Sequence, residues 1–536
     1  MPTHNRIKLI FLLCITAAFT IVCSSGYITP ASLTATAAAD LEETPVPTAY
    51  FVVPTNTPTP FPTPTDTPDP TLATPTPKFD TPTPLPSLTP TEKPISADTP
   101  LLIYFAQAGD TLTGLANRFG VHPFEIVSDE EIPEVGFIDP EQMLVIPQRL
   151  ILTTSDEKIL PDSAVVYSPS AVDFDTETYV EVLGGHLSTY REYHPLTNMT
   201  QGSEILQRVA LESSINPRLL LSLLEYNSHW VLGQPQSLSE KDYPMGHISV
   251  QERDLYQQLH WAATQISIGY YRWREGNFIQ LEFKDGSTIR LAPTLNAGTV
   301  GLMYYFSLIM DRQEWETATD PNLGFVLQHN VMFADAWARA AQVEPLFPPG
   351  LTQPFIVLPF TKERIWAYTG GPHGAWAIEG SQAALDFAPG GIEQGCATSQ
   401  LWAVAAAPGV VARVGSGVLM LDLDGDGKEQ TGWVLFYLHL EPLSSMYVGK
   451  LVEKGDLLGH PSCEGGRATG THLHIARKFN GEWIAADGPI PFELNGWRAH
   501  AGAEPYDGTL TRGDEIVIAS QWASFVSNIK RSDDDL

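Results

Sequence analysis

The sequence predicts a multidomain chain with three folded parts: a small strand, helix, helix, strand (βααβ) unit, a mostly α central domain and a C-terminal antiparallel β domain. Three observations predict it. A Thr-Pro tract separates the N-terminus from all that follows. Apolar residues recur at helical spacing from about 170 to 345, and past Gln353 the pattern changes to short β-runs punctuated by glycine and proline. At 536 residues the chain is also too long for one hydrophobic core.

Taken in order, Arg6 and Lys8 precede an apolar run from Leu9 to Val22. The run is short for a membrane span and suits an export signal. Residues 1–39 are therefore expected to be a signal peptide or a membrane or lipid anchor, and the protein to be exported to the cell envelope or beyond. Cys23 is a possible lipidation site, although Thr20-Ile21-Val22 departs from the usual lipobox; Ala37 and Ala39 offer a later cleavage point. Residues 40–100 form a linker: from Pro45 to Pro100 the sequence holds 17 of the 44 prolines, which excludes regular helix or sheet. At ~3.1 Å per residue in polyproline geometry such a spacer reaches on the order of 150 Å. The formal charge of −31, from 31 basic and 62 acidic side chains, argues against a nucleic-acid partner, whose phosphates would be repelled. It disfavours an anionic membrane surface equally, leaving membrane contact to the N-terminal anchor.

Residues 101–150 read as an extended "LIYFAQAGD", a helical "TLTGLANRFG" with Leu112, Leu115, Ala116 and Phe119 on one face, and a closing strand "QMLVIP". Tyr104, Gly109-Asp110-Thr111-Leu112, Leu115-Ala116, Phe119-Gly120, Ile126, Gln142, Leu144 and Ile146-Pro147 resemble a LysM domain over its whole length. The resemblance implies binding to N-acetylglucosamine-containing glycans such as peptidoglycan, through the loops after the first strand and before the second. Asp110 and Thr111 are the glycan-contact candidates, with a helix N-cap as their alternative role. After a linker at 151–170, the runs "SEILQRVALESS", "NPRLLLSLLEYNSHWV", "DLYQQLHWAATQISIGYYRWREG" and "LNAGTVGLMYYFSLIM" predict a helical domain over 171–345. The second and fourth resemble the helical core of lytic transglycosylases and goose-type lysozymes, in which a glutamate directly before the serine is the general acid. Here Asn227 precedes Ser228, and an amide cannot protonate a glycosidic oxygen. Glu225 lies about 200° around the helix from the expected face. This domain is expected to be non-catalytic.

The β domain, 351–520, carries the chemistry, with an acidic tail after it at 521–536. In "GTHLHIARK" strand alternation puts His472 and His474 on one face. With His439 in "FYLHL", and His373 and Asp386 placed before the main strands, the chain has ligands for one zinc ion and two imidazoles left for proton transfer. These stretches, with "VEKGDLLG", resemble the lysostaphin and LasA type of zinc metallopeptidase over roughly 355–505. By that resemblance His373, Asp386 and His474 hold zinc, and His439 and His472 are the catalytic pair. Three protein ligands leave one position for water, whose pKa then falls toward ~7. Cys396 and Cys463, an even pair in an exported chain, are expected to form a disulfide, with two buried thiols as the alternative. Tyr437 is either a packing residue or a transition-state donor. Asp422, Asp424 and Asp426 resemble half a calcium loop but lack its closing glutamate, which favours a polar hairpin turn. The expected function is a zinc metalloendopeptidase cutting peptide stems or cross-bridges of peptidoglycan, targeted by the LysM domain. The alternative is a non-catalytic wall-binding scaffold or an activator of another hydrolase.

Overall fold

A computed structural model describes residues 99–376, 379–390 and 395–532. The export signal, Cys23 and nearly all of the Thr-Pro tract lie outside the described residues. Among these residues no helix is long and apolar enough to cross a membrane.

In the first folded part Leu101–Phe105 pairs antiparallel with Met143–Pro147. The helix Leu112–Phe119 closes over the pair, burying Leu115, Ala116 and Phe119 with Tyr104, Leu144 and Ile146. The Thr111 hydroxyl caps it by accepting from Gly114 N–H at 3.0 Å, and left-handed Gly120 ends it. The second helix that the sequence led us to expect is a single 3-10 turn, Pro123–Glu125. The Glu125 carboxylate turns back to His122 N–H at 2.8 Å and to Arg149 at 2.9 Å. Val127 then pairs with Val145, so the chain is extended before another turn can form.

The central region folds around the helices Gly202–Ser213, Pro217–Ser228, Leu255–Arg274 and Ala297–Ile309. Pro217 starts the second of these, and the Asn216 side chain accepts from Arg218 N–H at 3.0 Å. Leu219, Leu220, Leu223 and Leu224 then bury against Val209, Leu259, Ile266 and Val300.

The C-terminal part is a nine-stranded antiparallel sheet. Its main path runs Leu451–Val452, Gly409–Gly415, Val418–Asp422, Trp433–Leu438, Leu473–Phe479, Ala384–Pro389, Ile365–His373 and Asn528–Lys530. Two elements differ from expectation. His373 and Asp386 stand on strands of this sheet, at 365–373 and 384–389, rather than before it. Those strands are covered on both faces, so they carry no alternation to read. The expected acidic tail also contributes an edge strand, Asn528–Lys530, which pairs with Ile365–Ala367 and buries Ile529.

Alternation divides the sheet into two apolar faces. Leu419, Leu421, Leu435, Tyr437, Ile475 and Phe387 point into a core shared with two smaller sheets, one of Leu440–Pro442, Leu457–Pro461 and Ala403–Val404, the other of Glu493–Leu494, Trp497–Ala501, Gly508–Arg512 and Glu515–Ile518. Val418, Met420, Val434, Phe436, Leu438 and Ala476 point the other way, into the same core as the central helices. The described residues accordingly form one compact unit. Polar bonds reinforce the junction: Ser214 donates to Gly481 O at 2.7 Å, and Trp483 N–H donates to Tyr271 at 3.0 Å. The Arg274 guanidinium reaches all three folded parts, bonding Ala108 O, Asp162 (2.8 Å) and Glu482 (3.0 Å).

Candidate metal centre

Sheet register builds the centre. His474 lies opposite Asp386, and Leu438 lies opposite His474 on its other side, which places His439 at the same end of the sheet. Irregular pairing around Gly370 turns His373 toward them. A Cβ on Gly370 would stand 2.7 Å from Asp386 Oδ2, so this glycine makes the room that the carboxylate occupies. His439 itself is left-handed, with φ 60, between the strands ending at Leu438 and starting at Leu440. That conformation is costly for a residue with a side chain and marks a position fixed by its surroundings.

Three atoms converge. His373 Nε2 and His474 Nδ1 are 3.1 Å apart, and Asp386 Oδ1 is 3.3 Å from the first and 3.2 Å from the second. A tetrahedral ion with bonds of about 2.0–2.1 Å has ligand-to-ligand edges of about 3.3 Å. The backbone sets the protonation of both rings. His373 Nδ1 faces Gly371 O at 2.8 Å, and His474 Nε2 faces Ala375 O at 2.9 Å. A carbonyl can only accept, so each of these nitrogens carries the proton and the opposite one offers a lone pair to the centre. Asp386 Oδ1, buried, has no hydrogen-bond donor. Three acceptors thus point at one spot with no proton between them, an arrangement that a cation satisfies. The fields agree. Burial raises the Asp386 carboxyl, but His373 and His472 outweigh it and hold it well below the usual range. Burial lowers His373, yet the Asp386 charge overcomes this and raises it.

The other two imidazoles stand beside this set. His439 and His472 have ring centroids 4.5 Å apart, and His472 Nε2 is 3.7 Å from Asp386 Oδ1. Each is oriented as the ligands are: His439 Nδ1 faces Glu464 O at 2.8 Å and His472 Nδ1 faces Gly470 O at 2.7 Å. Burial, then the neighbouring His472 and His474, lowers His439 to about 3, so it is neutral with a free Nε2 at neutral pH. The Cys396–Cys463 disulfide forms, with Cα atoms 5.4 Å apart, and its loop reaches Thr471 through Gly395 O at 2.9 Å.

Other candidates fall elsewhere. Asp110 is 1% exposed and saturated by Tyr104 O–H at 2.7 Å, Gln107 N–H at 2.8 Å and the Arg118 guanidinium. Thr111 serves as the helix N-cap, and the Asp110 carboxylate is enclosed within the unit. Tyr437 is a packing residue, its oxygen accepting from Ala406 N–H at 2.8 Å in the opposite core. Glu225 accepts from Val231 and Leu232 N–H at 2.9 and 2.8 Å, and Asn227 bonds Tyr305 at 2.9 Å; both are structural. Asp422, Asp424 and Asp426 come within reach of one cation, with Asp422 already bonded to three N–H groups of its own loop. Sequence reasoning missed Gly370, the orienting carbonyls, and Tyr506, which stacks on His373 at 4.1 Å. The double glycine of "TGGPH" was the one visible sign of the first.

Residues 158–346 match the family described as LasA, N-terminal domain. The chain is 24% identical over 372 residues to Protease LasA of Pseudomonas aeruginosa, covering 66% of this chain and 80% of the relative. Among solved structures, a deep-sea M23 metalloprotease, Pseudoalterin, is 24% identical with TM-score 0.28, over 34% of this chain and 100% of that one. A zinc containing peptidase from Vibrio cholerae is 17% identical with TM-score 0.18, over 26% of this chain and 39% of that one. The match covers the region whose helical runs resemble lysozyme-like families.

Proposed function

We propose that this chain is an exported zinc metalloendopeptidase that cleaves peptide stems or cross-bridges of peptidoglycan. One observation carries the reading: two imidazole lone pairs and a buried carboxylate oxygen converge within 3.3 Å, with ring protons held away by backbone carbonyls. The similarity to Protease LasA supports a peptidase, and the donor set, two nitrogens and one oxygen, fits zinc. The export-type N-terminus and the LysM-like unit support a wall substrate.

His373, Asp386 and His474 would hold the ion, which when bound supplies Lewis-acid polarisation of a carbonyl and activation of water. His439, its Nδ1 proton held on Glu464 O and its Nε2 free, takes the proton from the attacking water. His472 faces Asp386 and is the more exposed of the two; with Nδ1–H held on Gly470 O, it would donate from Nε2 to the oxygen on which charge develops only as an imidazolium. The four orienting carbonyls fix the direction of each ring before substrate arrives, so little reorganisation is left for the reaction.

The test is mass spectrometry of muropeptides after incubating the full chain with purified peptidoglycan, beside a His474→Ala variant and a chelator. New peptide termini that vanish in both controls support the reading; none from a folded, zinc-loaded sample across several wall types refutes it.

A further inference from the structure

The loop face of the small N-terminal unit is covered by the chain itself. Two loops make this face, residues 106–111 after the strand Leu101–Phe105 and residues 128–142 before the strand Met143–Pro147. The first loop meets the helical domain: Gln107 Nε2 donates to Thr294 O at 3.0 Å, and Ala108 O accepts from the Arg274 guanidinium. Gly109 lies so near that a Cβ there would stand 2.6 Å from Arg274 Nη1. The second loop meets the segment that joins the helical and β domains. The rings of Phe137 and Phe347 stack with centroids 4.9 Å apart, and Asp139 Oδ1 accepts from Gly350 N–H at 3.0 Å.

This cover is built to come away more easily than the helical domain parts from the sheet. The small unit has its own core, including Tyr104, Leu115, Phe119 and Leu144, separate from the one that the helices share with the sheet. Lifting the unit therefore opens no core; it unstacks Phe137 from Phe347 and breaks a few polar bonds, among them those from Arg290 to Asn117 O and Arg118 O at 3.2 and 3.0 Å. Arg274 would keep Asp162 at 2.8 Å and Glu482 at 3.0 Å. Contacts of this sort between domains behave like transient interfaces. The covered groups also define a ligand. Neither loop holds a lysine or arginine, which excludes an anion. An aromatic ring, a side-chain amide and a free carbonyl are what a neutral sugar requires, the ring for a pyranose face and the polar groups for hydroxyl and N-acetyl groups.

We propose that this face is a glycan-binding surface masked by the chain's own segment Phe347–Gly350 and by Arg274, so that a neutral N-acetylated glycan binds only by lifting the unit from them. The proposal goes beyond the peptidase reading and does not depend on it. Masking and binding are linked: the apparent affinity for glycan is reduced to the fraction of chains that are open, and a bound glycan frees the segment that joins the two larger domains.

The experiment measures binding of dye-labelled chitotetraose to the full chain by fluorescence anisotropy. Asp139→Cys combined with Gly350→Cys, oxidised and with the bridge confirmed by mass spectrometry, ties the second loop to its cover. Arg290→Ala loosens the attachment without touching either loop or the joining segment. The parent before and after reduction controls for the Cys396–Cys463 bridge. The tied chain is expected to bind at least tenfold more weakly than the same chain reduced, and Arg290→Ala to bind severalfold more tightly than the parent. In the parent, hydrogen exchange over residues 346–351 should accelerate when chitotetraose is added. Equal binding by the tied chain before and after reduction overturns the proposal, as does unchanged protection of residues 346–351 in a chain saturated with glycan. Absence of binding by every chain overturns it as well, and leaves the peptidase reading to its own test with muropeptides.

Discussion

At the scale of single residues, the centre is defined by where protons are not. Gly371 and Ala375 carbonyls take the N–H of each ligand imidazole, leaving His373 Nε2, His474 Nδ1 and Asp386 Oδ1 as bare acceptors. Removing one of them should abolish metal retention, whereas removing His439 should spare it. We expect Asp386→Asn to purify without zinc, and His439→Ala to keep one zinc but lose about 10²–10⁴ in rate, as loss of a general base does. Elemental analysis beside turnover measurement separates the two. His472 and His474 were legible together from the "THLH" alternation, whereas His373, Asp386 and His439 joined them through the resemblance to lysostaphin and LasA-type peptidases. Asp110 was not legible: its ionic partner Arg118 is one helix away, and only folding shows that the carboxylate is enclosed.

Among elements, two devices tie strands and loops to the centre. The Cys396–Cys463 bridge spans 67 residues, and closing a loop of that size in the unfolded chain is worth roughly 4 kcal/mol. Cys463→Ser should therefore lower the thermal midpoint, and reductant should lower the parent's to match, both read by calorimetry. Glu429 joins two strands by accepting from Arg413 at 2.7 Å and Lys478 at 3.0 Å. Burial alone would raise its carboxyl, but Arg413 and then Lys478 outweigh burial and hold it at about 2. Because the folded value is depressed, its stabilisation, on the order of 3 kcal/mol, is present above the ordinary carboxylate range. It is lost as pH falls through that range toward 2. Chemical denaturation of the parent should weaken across this window, and the loss should be smaller in Glu429→Gln. The β-runs with alternation or dense β-branched residues were readable as strands. Ile365–His373 and Asn528–Lys530 were not, since one is buried on both faces and the other is a three-residue edge whose place is set by a partner far away in sequence.

For the whole molecule, the sequence marks a helical domain and a β domain, and the structure fuses them. The sheet face formed by Val418, Met420, Val434, Phe436 and Leu438 lies in one core with the helices. At about 1.5–3 kcal/mol per buried side chain, that face represents on the order of 10 kcal/mol of apolar burial. Residues 351–536 expressed alone should accordingly be aggregation-prone or bind a hydrophobic dye, and adding residues 151–346 as a separate chain should restore a cooperative unfolding transition. Periodicity could not reveal this, because an apolar strand face reads the same whether a helix or another strand covers it. The most direct test of the account is a zinc titration of the metal-free full chain, following peptidoglycan cleavage at each addition. The account predicts activity that rises linearly to a break at one equivalent, and no recovery at any zinc concentration in Asp386→Asn; activity that is independent of zinc, or an Asp386→Asn chain that recovers like the parent, would contradict it.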